Sequence, residues 1–413
     1  MYRVWHLCSI LSRGGFTMKN ISTDVVIVGA GPAGSTAARE LAANGIDVIV
    51  LEKKPEIGCF KRCAEGITLR GLTDAGIKPQ KEWALGHITG ARLYPPSGKN
   101  VVEMTGDRME GYVVERKVFE KWLASRAVKE GARFMVKTPA LEFHRSGDRC
   151  IIKTRYMDES FSIESKLVLG ADGVESKVGR WAGINALNRV SDYHSGFQYE
   201  MAGVNVDDSY IHLFFGTQVA PKGYLWIFPK KFSANVGLGV LTKEIQDKRP
   251  MDYVHTFIDA HPDIFATASP LEVNAGGVPV AHNTEMVRDN VMLIGDAAQV
   301  VHPLHGGGII RSIKSAQAAA HTALLALEEK NYSQKRLMEY QDWWETAYGE
   351  QMAKLMKIRA FLERLEDKDF ELLAEVLSGE DIIDVVDAKV TFFMKKLITK
   401  PSIARLVKKF LSK

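Results

Sequence analysis

Cysteine is scarce in this chain of 413 residues. Cys8, Cys59, Cys63 and Cys150 form no CxxC pair, and no Cys/His set has zinc-ligand spacing. That excludes a disulfide framework and a structural zinc, and so few cysteines fit a reducing, cytoplasmic compartment. Long apolar runs are also missing: none approaches the roughly 18 residues of a membrane-spanning helix. Residues 4–11 resemble a weak signal core but lack a small-residue cleavage site and lead into Arg13-Gly14-Gly15. The expectation is a poorly ordered extension over 1–17, or an upstream start ahead of Met18. Acidic residues are absent from Val390 to Lys413, which holds seven basic ones; with 54 Lys and Arg against 50 Asp and Glu, the net +4 leaves −3 for the rest. A basic tail on a slightly acidic body excludes a general nucleic-acid coat and points to one local anionic contact. What remains is an ordinary globular composition, 46% hydrophobic and 25% charged, long enough for two or three domains.

Glycine is concentrated where phosphate chemistry needs it. Asp24-Val25-Val26-Ile27-Val28 reads as a buried strand, Gly29-Ala30-Gly31-Pro32-Ala33-Gly34 as a turn, and Ser35 to Asn44 as an alanine-rich helix. In such a unit Gly29 allows the tight turn, Gly31 lets the backbone approach a pyrophosphate, and Gly34 lets helix and strand pack closely. The helix N-terminus adds amide donors and a favourable dipole. A second strand, Ile46 to Leu51, ends at Glu52, placed to bind a ribose hydroxyl pair and to disfavour a 2′-phosphate. The unit predicts an ADP-containing dinucleotide and leaves NAD and FAD open. Asn290 to Ile294 repeats the logic: strand, Gly295-Asp296-Ala297-Ala298, Pro303, Gly306-Gly307-Gly308, then a long helical pattern.

These segments resemble the flavoproteins with the fold of aromatic hydroxylases. Gly295-Asp296 is similar to their second FAD fingerprint, whose aspartate holds the ribityl chain. Gly170-Ala171-Asp172-Gly173 resembles the middle Asp-Gly fingerprint, and Glu115-Arg116, ahead of a helix over 118–128, corresponds to an arginine near the flavin. Inside that superfamily, Pro221 to Pro229 reads P-x-x-Y-x-W-x-F-P and resembles the substrate-domain signature of geranylgeranyl reductases, archaeal digeranylgeranylglycerophospholipid reductases included. Arg62-Cys63-Ala64-Glu65-Gly66-Ile67 does so as well, and the resemblance covers nearly the whole chain from Met18. It implies FAD held by Gly29, Gly31, Ala33, Gly34, Glu52, Cys63, Ala64, Gly66, Arg116, Ala140, Asp296, Gly308 and Ile309, with Cys63 against the isoalloxazine. It further implies an α/β fold: a Rossmann-type FAD-binding domain (20–80, 112–185 and 280–340), an inserted antiparallel β substrate domain (86–111 and 190–279) and a helical cap over 341–413. The implied substrate is a prenylated glycerophospholipid or geranylgeranyl diphosphate, whose isolated alkenes need a hydride from reduced flavin, a proton and a dry pocket. No second dinucleotide motif is visible, so the implied electron donor is NAD(P)H, ferredoxin or another low-potential carrier. The implied location is cytoplasmic, peripherally attached to a membrane through the tail.

Read from the residues alone, Tyr224, Trp226 and Phe228 recur with period two and share one strand face. Either that face packs on the core, or it is an aromatic wall for an isoprenoid chain, each methylene leaving water being worth about 0.8 kcal/mol. On the second reading the polar tips of Tyr224 and Trp226 are free for a headgroup or water. The turn after Gly295-Asp296 departs from the family's N-P-x-x-G-G-G-I by carrying His302 and His305. One of them, His305 being the candidate, is a proton donor titrating near neutrality, or both are polar loop residues beside the cofactor. Cys63 is the other candidate for chemistry: it tunes the flavin, relays a proton or packs as a small hydrophobe, and Cys59 lies near enough in sequence for a disulfide. The segment 390–413 has the composition of an interfacial amphipathic helix interrupted at Pro401, or of a helix pair packed on the body. Two other functions stay open: a flavin monooxygenase acting on an aromatic or polyene substrate, and a prenyl-lipid-binding flavoprotein without turnover.

Overall fold

The computed structural model describes residues 20–61, 63–185, 190–245, 247–282 and 285–389, together with Leu406, Lys409 and Phe410. The expectations for 1–17, Cys8 and almost all of the basic tail fall outside these residues. The fold is α/β, as expected. Its centre is a six-stranded sheet in the order Val287–Arg288, Val291–Leu293, Leu167–Gly170, Val25–Val28, Val48–Leu51, Arg133–Met135, parallel except for the first pair. Val25–Val28 and Val48–Leu51 are buried on both faces, which explains their unbroken apolar runs. The Pro32–Ala43 and Ile309–Glu329 helices cover the sheet, their small residues Ala37, Ala38, Ala316, Ala319, Ala320 and Ala323 permitting close approach.

A second, seven-stranded sheet has the order Ser269–Pro279, Tyr193–Ala202, Ala234–Leu241, Tyr224–Pro229, Tyr210–Phe214, Gly90–Tyr94, Val102–Thr105. One face packs Leu225, Ile227, Val236 and Leu238 under the Pro250–Ala260 helix, which contributes Val254 and Phe257. The sheet departs from the expected antiparallel form at one place: Tyr210–Phe214 runs parallel to Gly90–Tyr94. The two strands come from separate stretches of chain, and the long crossover between them is what parallel pairing requires. From Ile309 on, the described chain is helical, with Glu350–Leu362, Asp367–Val376 and Gly379–Val386 forming their own core around Leu355, Ile358 and Phe361. No helix among the described residues is long and apolar enough to cross a membrane.

Candidate active site

The first glycine turn is shaped by contacts that no side chain would survive. Gly29 has φ +105°, and a Cβ there would stand 2.2 Å from the Ala171 carbonyl oxygen; a Cβ at Gly34 would stand 1.9 Å from the Gly29 oxygen. Gly31 is different, since a Cβ would meet nothing within 4 Å. It caps the Pro32–Ala43 helix, so the open space lies where the free amide groups converge. Glu52 is fixed beside this opening, its carboxylate accepting from the Ala30 amide (3.0 Å) and the Lys54 amide (2.8 Å). The Thr138 amide donates to the Glu52 carbonyl (2.8 Å), two residues before Ala140 begins its strand.

The second glycine turn closes on the first. Gly295 has φ +63°, and a Cβ there would lie 3.0 Å from the Ala33 methyl. Asp296 follows, its carboxylate accepting no hydrogen bond from the described residues; burial raises its pKa and the Arg116 guanidinium opposes the rise. Gly308 borders Asp296 and caps the 21-residue helix beginning at Ile309. Arg116 pairs with Glu120 and stays charged. Asp172 is turned inward, accepting from Ser176 and from the Lys177 and Val178 amides, so it fixes its own loop. An open amide-lined cradle, a held ribose-distance carboxylate and an unpartnered aspartate fit FAD. Glu52 would take the ribose, the Gly31 turn the pyrophosphate and Asp296 the ribityl hydroxyls.

Cys63 is a free thiol whose sulfur accepts from the Glu65 amide (3.1 Å); Cys59 instead donates to Glu56 (2.9 Å), so the two form no disulfide. Burial pushes the Cys63 pKa up, with Arg116 opposing, so the thiol keeps its proton at neutral pH. His302 and His305 stack with ring centroids 3.7 Å apart. His302 accepts from the Leu304 amide at Nδ1 and faces the Val386 carbonyl with Nε2, which therefore carries the proton. His305 accepts from the Gly307 amide at Nδ1 (3.1 Å). The expectation of a histidine titrating near neutrality is corrected here: desolvation by the loop in which its ring stacks on His302, with Arg311 facing it, brings His305 down to about 4 although the residue is exposed at the surface. It is a neutral imidazole with its Nε2–H free to donate.

The aromatic strand shows which face is which. Leu225, Ile227 and Pro229 are the buried set, and Tyr224, Trp226 and Phe228 share the opposite face, half-buried. The polar tips are not free as expected, because both are used within the chain: Tyr224 donates to the His305 carbonyl (2.7 Å) and Trp226 to Gln198 Oε1 (2.8 Å). Phe228 departs as well, its ring lying so close over Gly66 that a Cβ there would be 2.7 Å away. It braces the Cys63 segment, while Tyr224 and Trp226 stay half-buried farther along the same face, their rings edge to face. Beside them the row opposite Tyr224 is glycine, Gly239 then Gly196, and a Cβ at Gly239 would find its nearest neighbours only at 3.8 Å.

Residues that sequence reasoning passed over bind these parts together. Glu65 is fully buried, Lys61 is 3% and Lys230 4% exposed. Lys230 contacts Glu65 (2.6 Å), Glu115 (3.0 Å) and Glu200 (3.3 Å), and Lys61 pairs with Glu200. The pairing holds Glu200 at about 2. The signal available was a lysine directly after the strand Tyr224–Pro229 and a glutamate within Tyr193–Ala202, but not the identity of their partners.

A family model described as an FAD binding domain matches residues 22–347. Digeranylgeranylglycerophospholipid reductase 1 of Methanothermobacter thermautotrophicus is 39% identical over 381 residues, 91% of this chain and 94% of its own. The digeranylgeranylglycerophospholipid reductase of Methanocaldococcus jannaschii is 40% identical, with 94% and 98% covered. The chain belongs to this FAD-binding reductase family. Its cofactor is FAD, and it is an FAD-dependent oxidoreductase. A crystal structure of a geranylgeranyl bacteriochlorophyll reductase-like protein from Thermoplasma acidophilum superposes with a TM-score of 0.87 at 32% identity, covering 95% of this chain and all of that one. The flavin-dependent brominase Bmp2 shares the fold at 19% identity and a TM-score of 0.70, over 89% of this chain and 93% of its own.

Proposed function

We propose that the chain saturates the double bonds of geranylgeranyl chains on archaeal-type glycerophospholipids. The observation that carries the reading is the sheet face where Tyr224 and Trp226 stand beside the Gly239–Gly196 row, tied directly to the His305 loop. That face offers an apolar wall with a backbone floor, the shape a slender isoprenoid chain fits, and each methylene placed there is worth about 0.8 kcal/mol.

Reduced FAD, when bound, supplies the hydride. The chain's own residues orient and dry the alkene: Trp226 and Tyr224 restrict its plane, and their packing excludes water from the reacting carbon atoms. Cys63, its thiol kept protonated, and His305, with its Nε2–H, are the groups we place at the reacting end to hold the proton that completes each saturation. The electron donor is NAD(P)H, ferredoxin or another low-potential carrier, and the cationic C-terminal segment meets the anionic membrane surface from which the lipid is drawn.

The test uses chemically reduced holoenzyme under anaerobic conditions, mixed with a dispersed digeranylgeranyl glycerophospholipid or with its fully saturated counterpart. Reoxidation by the unsaturated lipid alone is the expected result. Reoxidation by neither, together with lipid-stimulated oxygen uptake in air, assigns the chain to monooxygenation instead.

A further inference from the structure

Two adjacent cross-strand rows on the face turned to the flavin turn are set by register. Gln198, Gly237 and Trp226 are direct neighbours in one row, and Glu200, Asn235 and Phe228 in the next. Gln198 is 3% exposed and Asn235 fully buried. A Cβ at Gly237 would lie 2.7 Å from that of Gln198, so glycine there is what gives the glutamine its place.

Every polar atom of the two amides is used. Gln198 Oε1 accepts from the Trp226 ring N–H (2.8 Å), and its Nε2 donates to the Cys63 carbonyl (3.1 Å) and to Asn235 Oδ1 (3.1 Å). Asn235 Nδ2 donates to the Ala64 carbonyl (3.1 Å) and to Glu65 Oε2 (2.6 Å). Glu65 has φ +74°, a left-handed conformation that a non-glycine residue keeps only when its surroundings hold it. Its other carboxylate oxygen accepts from the Arg116 amide (3.0 Å). The bonds therefore run without a break from Trp226, through two side-chain amides, to the backbone carbonyls of Cys63 and Ala64 and to the Glu65 carboxylate, and from there on to the Arg116 amide.

We propose that Gln198 and Asn235 are positioning residues that fasten the Cys63 segment to the aromatic strand, so that the lipid wall and the flavin-facing thiol are set as one unit. Neither touches the cleft's reacting groups through its own chemistry; each acts by fixing the backbone that carries them. The proposal rests on the reading of Cys63 as flavin-facing, but its main readout needs no lipid. It would stand or fall separately from the choice of substrate.

The experiment compares FAD-loaded parent protein with Gln198→Met and with Val236→Ala. Val236 lies on the opposite, core-facing side of the same sheet, so its variant loses stability without touching the latch. Iodoacetamide labelling of Cys63, followed by peptide mass spectrometry, and the absorption spectrum of the bound flavin are recorded for each. Gln198→Met is expected to label Cys63 about tenfold faster, from loss of hydrogen bonds that hold the segment closed, and to shift the flavin bands. In turnover kcat is expected to fall on the order of a hundredfold, as for a misplaced reacting group, with the lipid KM little changed. Val236→Ala should leave labelling and spectrum at the parent values. Parent-like labelling and spectrum in Gln198→Met, or an equal change in Val236→Ala, would overturn the proposal. Should Gln198→Met not fold, Trp226→Phe cuts only the strand end of the chain of bonds; faster Cys63 labelling supports the latch, and unchanged labelling refutes it.

Discussion

Two glycines three residues apart in the phosphate turn should respond in opposite ways to the same methyl group. At Gly34 a Cβ would stand 1.9 Å from the Gly29 carbonyl oxygen and 3.0 Å from its carbon, both backbone atoms that cannot turn aside. Overpacking of this kind costs about 3 kcal/mol or more, which lowers the melting temperature by about 3–4 °C or more for a chain of 413 residues. At Gly31 the Cβ would meet nothing, and the backbone, φ −70° and ψ −172°, is one that alanine adopts without strain. The poorer N-cap costs under about 1 kcal/mol, offset by a similar loss of freedom in the unfolded chain. Gly31→Ala should therefore leave the apoprotein melting within about 1 °C of the parent. Its methyl occupies the space the pyrophosphate approaches, so FAD affinity should fall about 10- to 100-fold, the equivalent of about 1–3 kcal/mol of overpacking in the complex. Calorimetric melting of both apoproteins and FAD titration of Gly31→Ala are the assays. Equal destabilisation by the two substitutions, or parent-like FAD affinity in Gly31→Ala, would refute the assignment of the cradle.

Other consequences are equally direct. His194 lies with its Nε2 buried and unbonded, and burial, aided by Arg359, holds it at about 4 against an ordinary 6.5. The unfolded ring takes up a proton as pH falls through 6.5 while the folded one does not, so stability is lost between pH 6.5 and about 4, by about 3 kcal/mol from this group. Urea unfolding across that window should show a smaller loss in His194→Gln, and an unchanged loss would refute the attribution. Lys230→Met removes the cation shared by the buried Glu65 and the half-buried Glu115 and Glu200, leaving Lys61 as the remaining partner of Glu65 and Glu200, at a cost of about 3 kcal/mol in denaturant unfolding; a change under 1 kcal/mol would mean the network does not hold the sheet to the flavin turn. Gly239→Leu projects an isobutyl group from the floor beside Tyr224 and Trp226. It should leave FAD binding intact and abolish lipid-dependent reoxidation, and activity at the parent level would place the lipid elsewhere.

The phosphate turn was legible in the sequence because its requirements are local. Gly34 answers to the Gly29 carbonyl within the same short strand–turn–helix unit and Glu52 closes the next strand; only the Ala171 oxygen that bars a side chain at Gly29 comes from a distant segment. The aromatic strand was legible as a period of two, but which face met the core was not: that depends on the Pro250–Ala260 helix covering Leu225 and Ile227 from one side. The fate of the polar tips escaped for the same reason. Trp226 finds Gln198 only because Tyr193–Ala202 and Tyr224–Pro229 both pair with Ala234–Leu241 in one particular register. His305 looked like a group poised near neutrality because nothing in its immediate sequence announces the stacked His302 ring, and the cation that opposes its protonation, Arg311, acts through the fold of the following helix. The parallel pairing of Tyr210–Phe214 with Gly90–Tyr94 likewise joins segments more than a hundred residues apart, beyond the reach of local pattern.

The central claim is that this face and this thiol serve reduction of an isolated alkene. Its most direct test is the mass of the lipid after one equivalent of reduced holoenzyme has been mixed anaerobically with a digeranylgeranyl glycerophospholipid. A gain of two hydrogens per flavin reoxidised is the predicted result. Lipid recovered at its starting mass, from enzyme shown to hold FAD and to bind the lipid, would contradict it.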